Sequence, residues 1–247
     1  MNTAKISPSN ILKVASKEMR HYFDAPHSYV LICVYLFIIG YFFAQPLFLI
    51  NQANLNSVVD IAPLILTFFV PAITMKLIAE EKKTQTIEIL MTLPLTEEEI
   101  ILGKYLSALS VVGLSIILML AYPITLLFLS KPDVGHLVGT YLSIFFISAS
   151  FAAIGLFAST LSSSQIIAFI IGFAICFVLY LAGKVTFFLP ISIQDIVSYI
   201  GIDPHLTNMS RGVIDLKDIV YFISVICLFI YLSIQQIKRP LKRRESL

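Results

Sequence analysis

One long internal segment of this 247-residue chain mixes many charged residues with an apolar stripe. Residues 80–104 combine acidic and basic side chains with apolar positions at helical spacing, and apolar runs flank the segment on both sides. Side chains in such a pattern can form ion pairs, cap a helix or contact a partner protein in water. We therefore expect a partner protein in the aqueous phase to contact the chain at residues 80–104.

The sequence contains no local motif for nucleotide binding, metal binding or catalysis. A Walker A loop needs Gly-x-x-x-x-Gly-Lys followed by Ser or Thr, and both Gly103-Lys104 and Gly183-Lys184 lack the upstream glycine and the following hydroxyl. The four histidines and three cysteines are scattered, so local spacing builds no metal site. A Ser/His/Asp site assembled at long range stays open. We expect no enzyme activity, no directly bound cofactor and no metal ligands.

Composition indicates a membrane protein. The chain is 58% hydrophobic and 13% charged, with a mean hydropathy of +0.91, whereas soluble domains carry about 25% charged residues. A net charge of +2 argues against a nucleic-acid partner. A membrane-spanning helix needs about 20 apolar residues, and we predict an all-α polytopic fold with six spans in one transmembrane domain, residues 1–247. The spans are predicted at residues 28–50, 59–79, 104–129, 137–161, 165–189 and 218–237.

The basic residues predict the orientation. With both termini inside, 13 of the 17 lysines and arginines lie inside and 4 outside, which satisfies the positive-inside rule. Residues 80–103 are then cytoplasmic. Within residues 1–27, a basic amphipathic helix is predicted to lie in the membrane interface among lipid headgroups and to end before Pro26. An ordinary solvated helix is the alternative.

The predicted outer segment, residues 190–217, interleaves apolar and polar residues. Because long unstructured loops are uncommon, we predict short helices that dip into or lie on the outer leaflet. Asp203-Pro204 and Gly212 are expected to separate these helices from the last span. A helical surface cap with no gating role stays the alternative.

Residues 84–93 predict a short amphipathic helix that Pro94 ends. Its apolar positions follow i, i+3, i+4 spacing and leave the acidic residue on another side: Ile87, Leu90 and Met91 against Glu88. One apolar stripe of this kind fits a groove on a partner protein. An amphipathic hairpin resting on lipid is the alternative.

The third span has a defined start. Thr96 and Glu99 have the spacing of a capping box, in which each side chain bonds the other residue's backbone N–H. The span is therefore predicted to begin near Glu97.

Three motifs in order resemble those of ABC-2-type permeases. The first is Glu80-Glu81-Lys82-Lys83-x-x-Thr86-x-Glu88-x-Leu90-x-Thr92-x-Pro94 with Ile100, Gly103 and Lys104, and the others lie in residues 154–166 and 210–222. The likeness covers nearly the full length and is strongest to the gliding-motility-type branch, to which the copper-maturation ABC permease is also similar. Gln85 stands where that family more often has Gly, which favours an unbroken helix.

The resemblance implies that six spans form half of a dimeric pore, with a second copy or a paralogous permease. It also implies that a cytoplasmic ABC ATPase subunit, which binds ATP and Mg, docks on the first motif. Export of a substrate, or mechanical signalling, across a bacterial inner membrane would follow. The alternatives are an ion-gradient-driven secondary transporter and a structural anchor for a cytoplasmic assembly. The candidate residues are Glu80, Glu81, Thr86, Ile87, Glu88, Leu90, Met91 and Pro94 for coupling; Thr96, Glu99, Gly103 and Lys104 at the start of the third span; and Asp203, Arg211 and Asp215 in the outer loop.

Overall fold

The computed structural model describes residues 7–49, 55–87, 90, 94–129, 133–186, 190, 194, 197, 199–212 and 215–245. Every regular element in this part of the chain is a helix. The helices, numbered in chain order, are α1 Pro8–Asp24, α2 Pro26–Leu49, α3 Asn56–Thr74, α4 Lys76–Lys83, α5 Glu97–Met119, α6 Ala121–Leu129, α7 Val134–Leu161, α8 Gln165–Val185, α9 Ile202–Ser210 and α10 Leu216–Glu245.

Six helical stretches are long and apolar enough to cross a membrane, so the predicted all-α fold with six spans is confirmed. The second span consists of α3 and α4, and the third consists of α5 and α6. The stretches are Pro26–Phe48, Asn56–Lys83, Glu97–Leu129, Val134–Leu161, Gln165–Val185 and Leu216–Lys238.

The fourth span, α7, is the centre of the bundle. It packs against α3, α5, α8, α9 and α10, and 78% of its apolar window is buried, against 22% for the first span. Small side chains on α7 let these neighbours approach closely. Six small residues of this helix are buried inside the chain: Ser148, Ala149, Ala152, Ala153, Gly155 and Ser159.

A proline divides the third span. Pro123 lies in the first turn of α6, and α5 ends four residues earlier, at Met119. A proline ring clashes with the carbonyl of residue i−4 and has no N–H to offer it. The freed Met119 carbonyl instead accepts a hydrogen bond from the Tyr141 hydroxyl of α7 at 2.7 Å.

The segment before the last span differs from the prediction in one respect. Asp203-Pro204 does not separate helices, because both residues lie in the first turn of α9. A proline is tolerated there, since the first N–H groups of a helix have no partner within the helix. Gly212 does separate α9 from α10: its φ is +81°, a left-handed conformation that glycine adopts without strain.

The predicted N-terminal helix is present as α1, and α2 begins directly after it at Pro26. α1 packs along the first part of α5. Its Tyr22 is buried and donates a hydrogen bond to the Ile73 carbonyl at the end of α3, at 2.8 Å. Burial raises the pKa of the Tyr22 hydroxyl. α1 is therefore fixed to two spans of the bundle.

Candidate functional site

The predicted capping box at the start of the third span is present. Thr96 Oγ1 accepts from the Glu99 backbone N–H at 3.2 Å, and Glu99 Oε2 accepts from the Thr96 N–H at 2.9 Å. The other oxygen of Glu99 accepts from the Ser7 N–H at 2.7 Å and from Asn10 Nδ2 at 3.2 Å. One carboxylate thus caps α5 and also holds the beginning of α1.

Lys104 forms a buried ion-pair cluster with two carboxylates. Its side chain is 1% exposed, and Nζ lies 2.8 Å from Glu81 Oε1 on α4 and 3.1 Å from Glu18 Oε1 on α1. We call these three residues the Lys104 cluster. It joins three helices at one point, because each residue comes from a different helix. A buried ammonium is stable only when such partners surround it.

Glu81 and Lys104 are among the candidate residues predicted from the sequence, although not as a pair, and Glu18 is not among them. A signal for Glu18 exists. Val14, Glu18 and Tyr22 follow one another at i, i+4, i+8, and both Val14 and Tyr22 are buried. A single acid within an otherwise apolar stripe predicts an ion-pair partner on the helix that covers the stripe.

Gly103 permits the close contact between α1 and α5. A Cβ built on Gly103 would lie 2.6 Å from Val14 Cβ, which is closer than carbon atoms approach one another. Any side chain here would therefore displace α1 from α5. The candidate role of Gly103 is thus explained by packing next to the Lys104 cluster.

A serine from α7 interrupts the second span. Ser159 Oγ accepts from the N–H groups of Ile78 and Ala79 and donates to the Met75 carbonyl, each at 3.0 Å. In a continuous helix, Ala79 N–H would bond Met75 directly. The inserted hydroxyl replaces that bond, and this is one of the recognised causes of a helix kink. α4 is therefore a separate helix from α3, with its backbone held by α7.

The expected unbroken helix after Glu80 is wrong. α4 ends at Lys83, and Gln85 has φ +61° in the left-handed region. Helices commonly end in this conformation, which glycine adopts more readily than glutamine. The absence of glycine did not remove the turn. It placed a strained residue there instead.

The coupling candidates that the structure describes lie next to α1. Glu80, Glu81 and Thr86 line a cavity of about 1190 Å³ between α1 and α4. Leu90 and Pro94 line a second cavity of about 320 Å³ on α1. Ile87 packs against the hydrophobic core of the chain. Glu88 and Met91 lie outside the described residues.

Basic side chains of α1 and α4 also line the larger cavity: Lys13, Lys17, Arg20 and Lys76. At the same end of the bundle, Lys238 of α10 lies 3.2 Å from Glu98 Oε1 of α5. We call this the α1 end. It contains α1, α4, the start of α5 and the second half of α10.

The three outer-loop candidates have separate surroundings at the opposite end, which we call the α9 end. Asp203 lies 2.7 Å from Lys184 Nζ of α8. Asp215 lies 2.9 Å from Lys217, which holds the pKa of the Asp215 carboxyl below its usual value. Arg211 is exposed at the C-cap of α9.

The α9 end also contains a pair that the sequence analysis missed. His205 Nδ1 lies 2.6 Å from Asp218 Oδ1, and both side chains are buried. Two residues thirteen positions apart, on different helices, leave no local motif. The available signal is the position of Asp218, an acid at the start of an apolar span.

Comparison with known proteins identifies the chain's family. Residues 6–234 match the family described as ABC-2 family transporter protein. No curated protein matches the chain. The matched family comprises membrane components that are not themselves catalytic and that generally work with a cytoplasmic ATPase subunit. Six apolar helices agree with a multi-pass permease of this kind. The chain therefore belongs to the ABC-2 transporter family.

Proposed function

We propose that this chain is the permease subunit of an ABC transporter and that a cytoplasmic ABC ATPase docks at its α1 end. The observation that carries the proposal is the Lys104 cluster. It fixes the charged extension of the second span, α4, to both α1 and α5 through contacts of 2.8 and 3.1 Å. A force applied to α4 would reach two further helices through these ion pairs.

The distribution of charge supports placing the α1 end in the cytoplasm. The cavity beside α4 has lysine and arginine side chains on its wall, and Lys238 of α10 lies beside Glu98 at the start of α5. Basic residues favour the cytoplasmic side of a membrane protein. The permease would lie in a bacterial inner membrane, N-in and C-in, with a second copy or a paralogous permease as the other half of the pore.

In this proposal the chain's residues transmit motion, and the energy comes from ATP and Mg bound in the partner subunit. The break at Met75 lets α4 change its angle relative to α3. The Ser159 hydroxyl hydrogen-bonds the backbone groups at the break, so they keep a partner during that change. The movement would alter access between two permease copies. We also propose that the chain belongs to the gliding-motility-type branch, on the motifs in residues 80–104, 154–166 and 210–222.

The test uses the full-length chain with the Walker A-containing protein that the proposal expects to co-purify with it. Leu90→Asp places a charge beside the smaller cavity on α1. We expect it to abolish the permease-stimulated ATPase activity while membrane insertion is retained, because an apolar contact with the partner is replaced by a carboxylate.

Ser163→Asp is the matched control. It adds the same charge to the exposed turn between α7 and α8, and stimulation should be unchanged. Equal stimulation by wild type and Leu90→Asp would contradict the proposed docking site.

The alternative of a secondary transporter makes the opposite prediction about energy. Transport would persist after deletion of the ATPase partner and would collapse with an uncoupler. The structural anchor would show no transport under either condition.

A further inference from the structure

A histidine and an aspartate meet inside the α9 end. His205 of α9 is 4% exposed, and Asp218 in the first turn of α10 is fully buried. Nδ1 of the imidazole lies 2.6 Å from Asp218 Oδ1. The ring of Tyr221 stacks on the imidazole with centroids 4.1 Å apart and an interplanar angle of 15°. The proposed coupling to an ATPase does not involve this pair.

The hydrogen-bond partners indicate how many protons the imidazole carries. Nδ1 faces the Asp218 carboxylate, and Nε2 lies 3.2 Å from the backbone carbonyl oxygen of Tyr199. Both partners are acceptors, and a neutral imidazole has only one N–H to donate. With Asp218 ionised, only the doubly protonated ring satisfies both contacts. The stacked face of Tyr221 also favours a cation.

The surrounding charges also indicate that the His205 imidazole is protonated. A fully buried carboxylate needs a cation beside it, and Asp218 Oδ2 is buried without a hydrogen-bond partner among the described residues. Among the described residues, the other charged or titratable groups near the pair have partners of their own, are neutral hydroxyls or, in the case of Arg211, lie exposed at the end of α9. Lys184 of α8 pairs with Asp203, and Asp215 pairs with Lys217 at the start of α10. Tyr221 of α10 donates a hydrogen bond to the Ile200 carbonyl, and His136 Nδ1 of α7 contacts the Ser210 carbonyl. The ring of Tyr199, before α9, lies edge-on to the His205 ring.

We propose that His205 and Asp218 form a proton-binding site that holds α9 against α7 and α10. The ligand is a proton from the aqueous phase at the α9 end, and it binds the imidazole. In the part of the chain that the structure describes, no group of three His, Cys, Asp or Glu side chains could hold a metal ion instead. This inference does not depend on the proposed coupling to an ATPase.

Loss of the proton has two consequences for α9. The Asp218 carboxylate loses its counter-charge inside the protein, and a lone pair of Nε2 then faces the Tyr199 carbonyl oxygen at 3.2 Å. Both effects destabilise the docked helix and not the undocked one. The docked state therefore binds the proton more tightly, and linkage requires docking to be favoured at low pH and weakened as pH rises.

The test is hydrogen–deuterium exchange of the peptide covering Ile202–Ser210, in the full chain in lipid nanodiscs. Exchange is compared at about pH 6 and about pH 9, on either side of the usual histidine range, after correction for intrinsic rates. We expect protection of this peptide to fall by about tenfold or more at the higher pH. Equal corrected protection at both pH values would overturn the proposal.

Variants separate the proton site from simple misfolding. Asp218→Asn removes the buried charge, so protection should become independent of pH. His205→Gln should lower protection at both pH values, because it leaves Asp218 uncompensated. Adding Asp218→Asn to His205→Gln should restore protection. A pH dependence that survives in Asp218→Asn contradicts the proposal.

His136 provides the matched control, since it also contacts α9 through the Ser210 carbonyl. His136→Gln should keep the pH dependence of the wild type. Loss of that dependence would show that His136 binds the proton and would contradict the assignment to His205. Nitrogen NMR of the 15N-histidine-labelled chain gives a direct readout. At about pH 6, His205 should carry hydrogen on both ring nitrogens; a singly protonated ring contradicts the proposal.

Discussion

At each end of the bundle a buried cation holds a helix in place through a carboxylate, but the cation is different. At the α1 end, Lys104 holds α1 and α4 through two carboxylates. At the α9 end, His205 holds α9 through one carboxylate of α10. Lysine side chains are ordinarily charged throughout the physiological pH range, whereas histidine loses its charge within it. The difference indicates a permanent attachment at the α1 end and a pH-sensitive attachment at the α9 end.

Each end also contains an exposed ion pair, Lys238–Glu98 at the α1 end and Lys184–Asp203 at the α9 end. Lys184 and Asp203 at the α9 end are 43% and 24% exposed, while Lys104 is 1% exposed. Exposed pairs contribute about 0–1 kcal/mol, and removing one partner of a buried pair costs about 3–5 kcal/mol. Mutations that break the Lys104 cluster and the Lys184–Asp203 pair should therefore have effects of very different size.

The largest effect is expected for Lys104→Met. It leaves Glu18 and Glu81, which are 14% and 19% exposed, without their shared cation, so the free energy of unfolding should fall by about 3 kcal/mol, the lower end of the range for a buried pair. Thermal unfolding in detergent measures the change. Lys184→Met is the matched control at the α9 end and should cost about 0–1 kcal/mol. Similar losses for the two variants would remove the contrast between the ends.

The next effect concerns the contact between α1 and α5. Gly103→Ala places a Cβ 2.6 Å from Val14 Cβ, and such overpacking costs about 1–3 kcal/mol. Gly113→Ala on the same helix meets no atom within 4 Å and should instead stabilise by about 0.5–1 kcal/mol. Unfolding midpoints of the two variants should move in opposite directions. A shift of both in the same direction contradicts the close packing described for α1.

Ser159→Ala tests the interruption of the second span. The N–H groups of Ile78 and Ala79 and the Met75 carbonyl would lose their shared partner, at a cost of about 1–3 kcal/mol. Ser148→Ala is the control, since the Ser148 hydroxyl is equally buried but bonds only the Ile144 carbonyl of its own helix. Unfolding measurements should show a clearly smaller loss for Ser148→Ala. Equal losses would mean that the inserted hydroxyl is not special.

The smallest effect is expected at the end of α4. Gln85 has φ +61°, and relieving a left-handed conformation with glycine gains about 1 kcal/mol. Gln85→Gly should therefore raise the unfolding midpoint, and Gln85→Val should lower it because the side chain is β-branched. A lower midpoint for Gln85→Gly would show that the turn is not strained.

Local features of the α1 end were predictable from the sequence. The capping box of Thr96 and Glu99 depends on residues three positions apart, and the six spans depend on continuous apolar runs. The Lys104 cluster and the His205–Asp218 pair were not predictable in the same way. Each depends on which helices meet, and that is decided by packing around α7 and not by any spacing along the chain.

Two predictions from the sequence are wrong: that Asp203-Pro204 separates helices, and that the chain continues as an unbroken helix through Gln85. Pro204 is instead accommodated in the first turn of α9, and Gln85 adopts a conformation that glycine would favour. Pro204 meets no penalty, because the first N–H groups of a helix have no partner within the helix, whereas at Gln85 the surrounding structure overrides a local preference of about 1 kcal/mol. Residue identity alone could not reveal this.

The central claim is that the ATPase partner docks at the α1 end, and site-specific photo-cross-linking tests it most directly. A photoreactive amino acid replaces Thr86, which is exposed on the wall of the larger cavity. A second variant carries it at Tyr199, which is 62% exposed at the α9 end. We predict that Thr86 cross-links to the Walker A-containing protein in the assembled complex and that Tyr199 does not. A cross-link from Tyr199 with none from Thr86 would contradict the account.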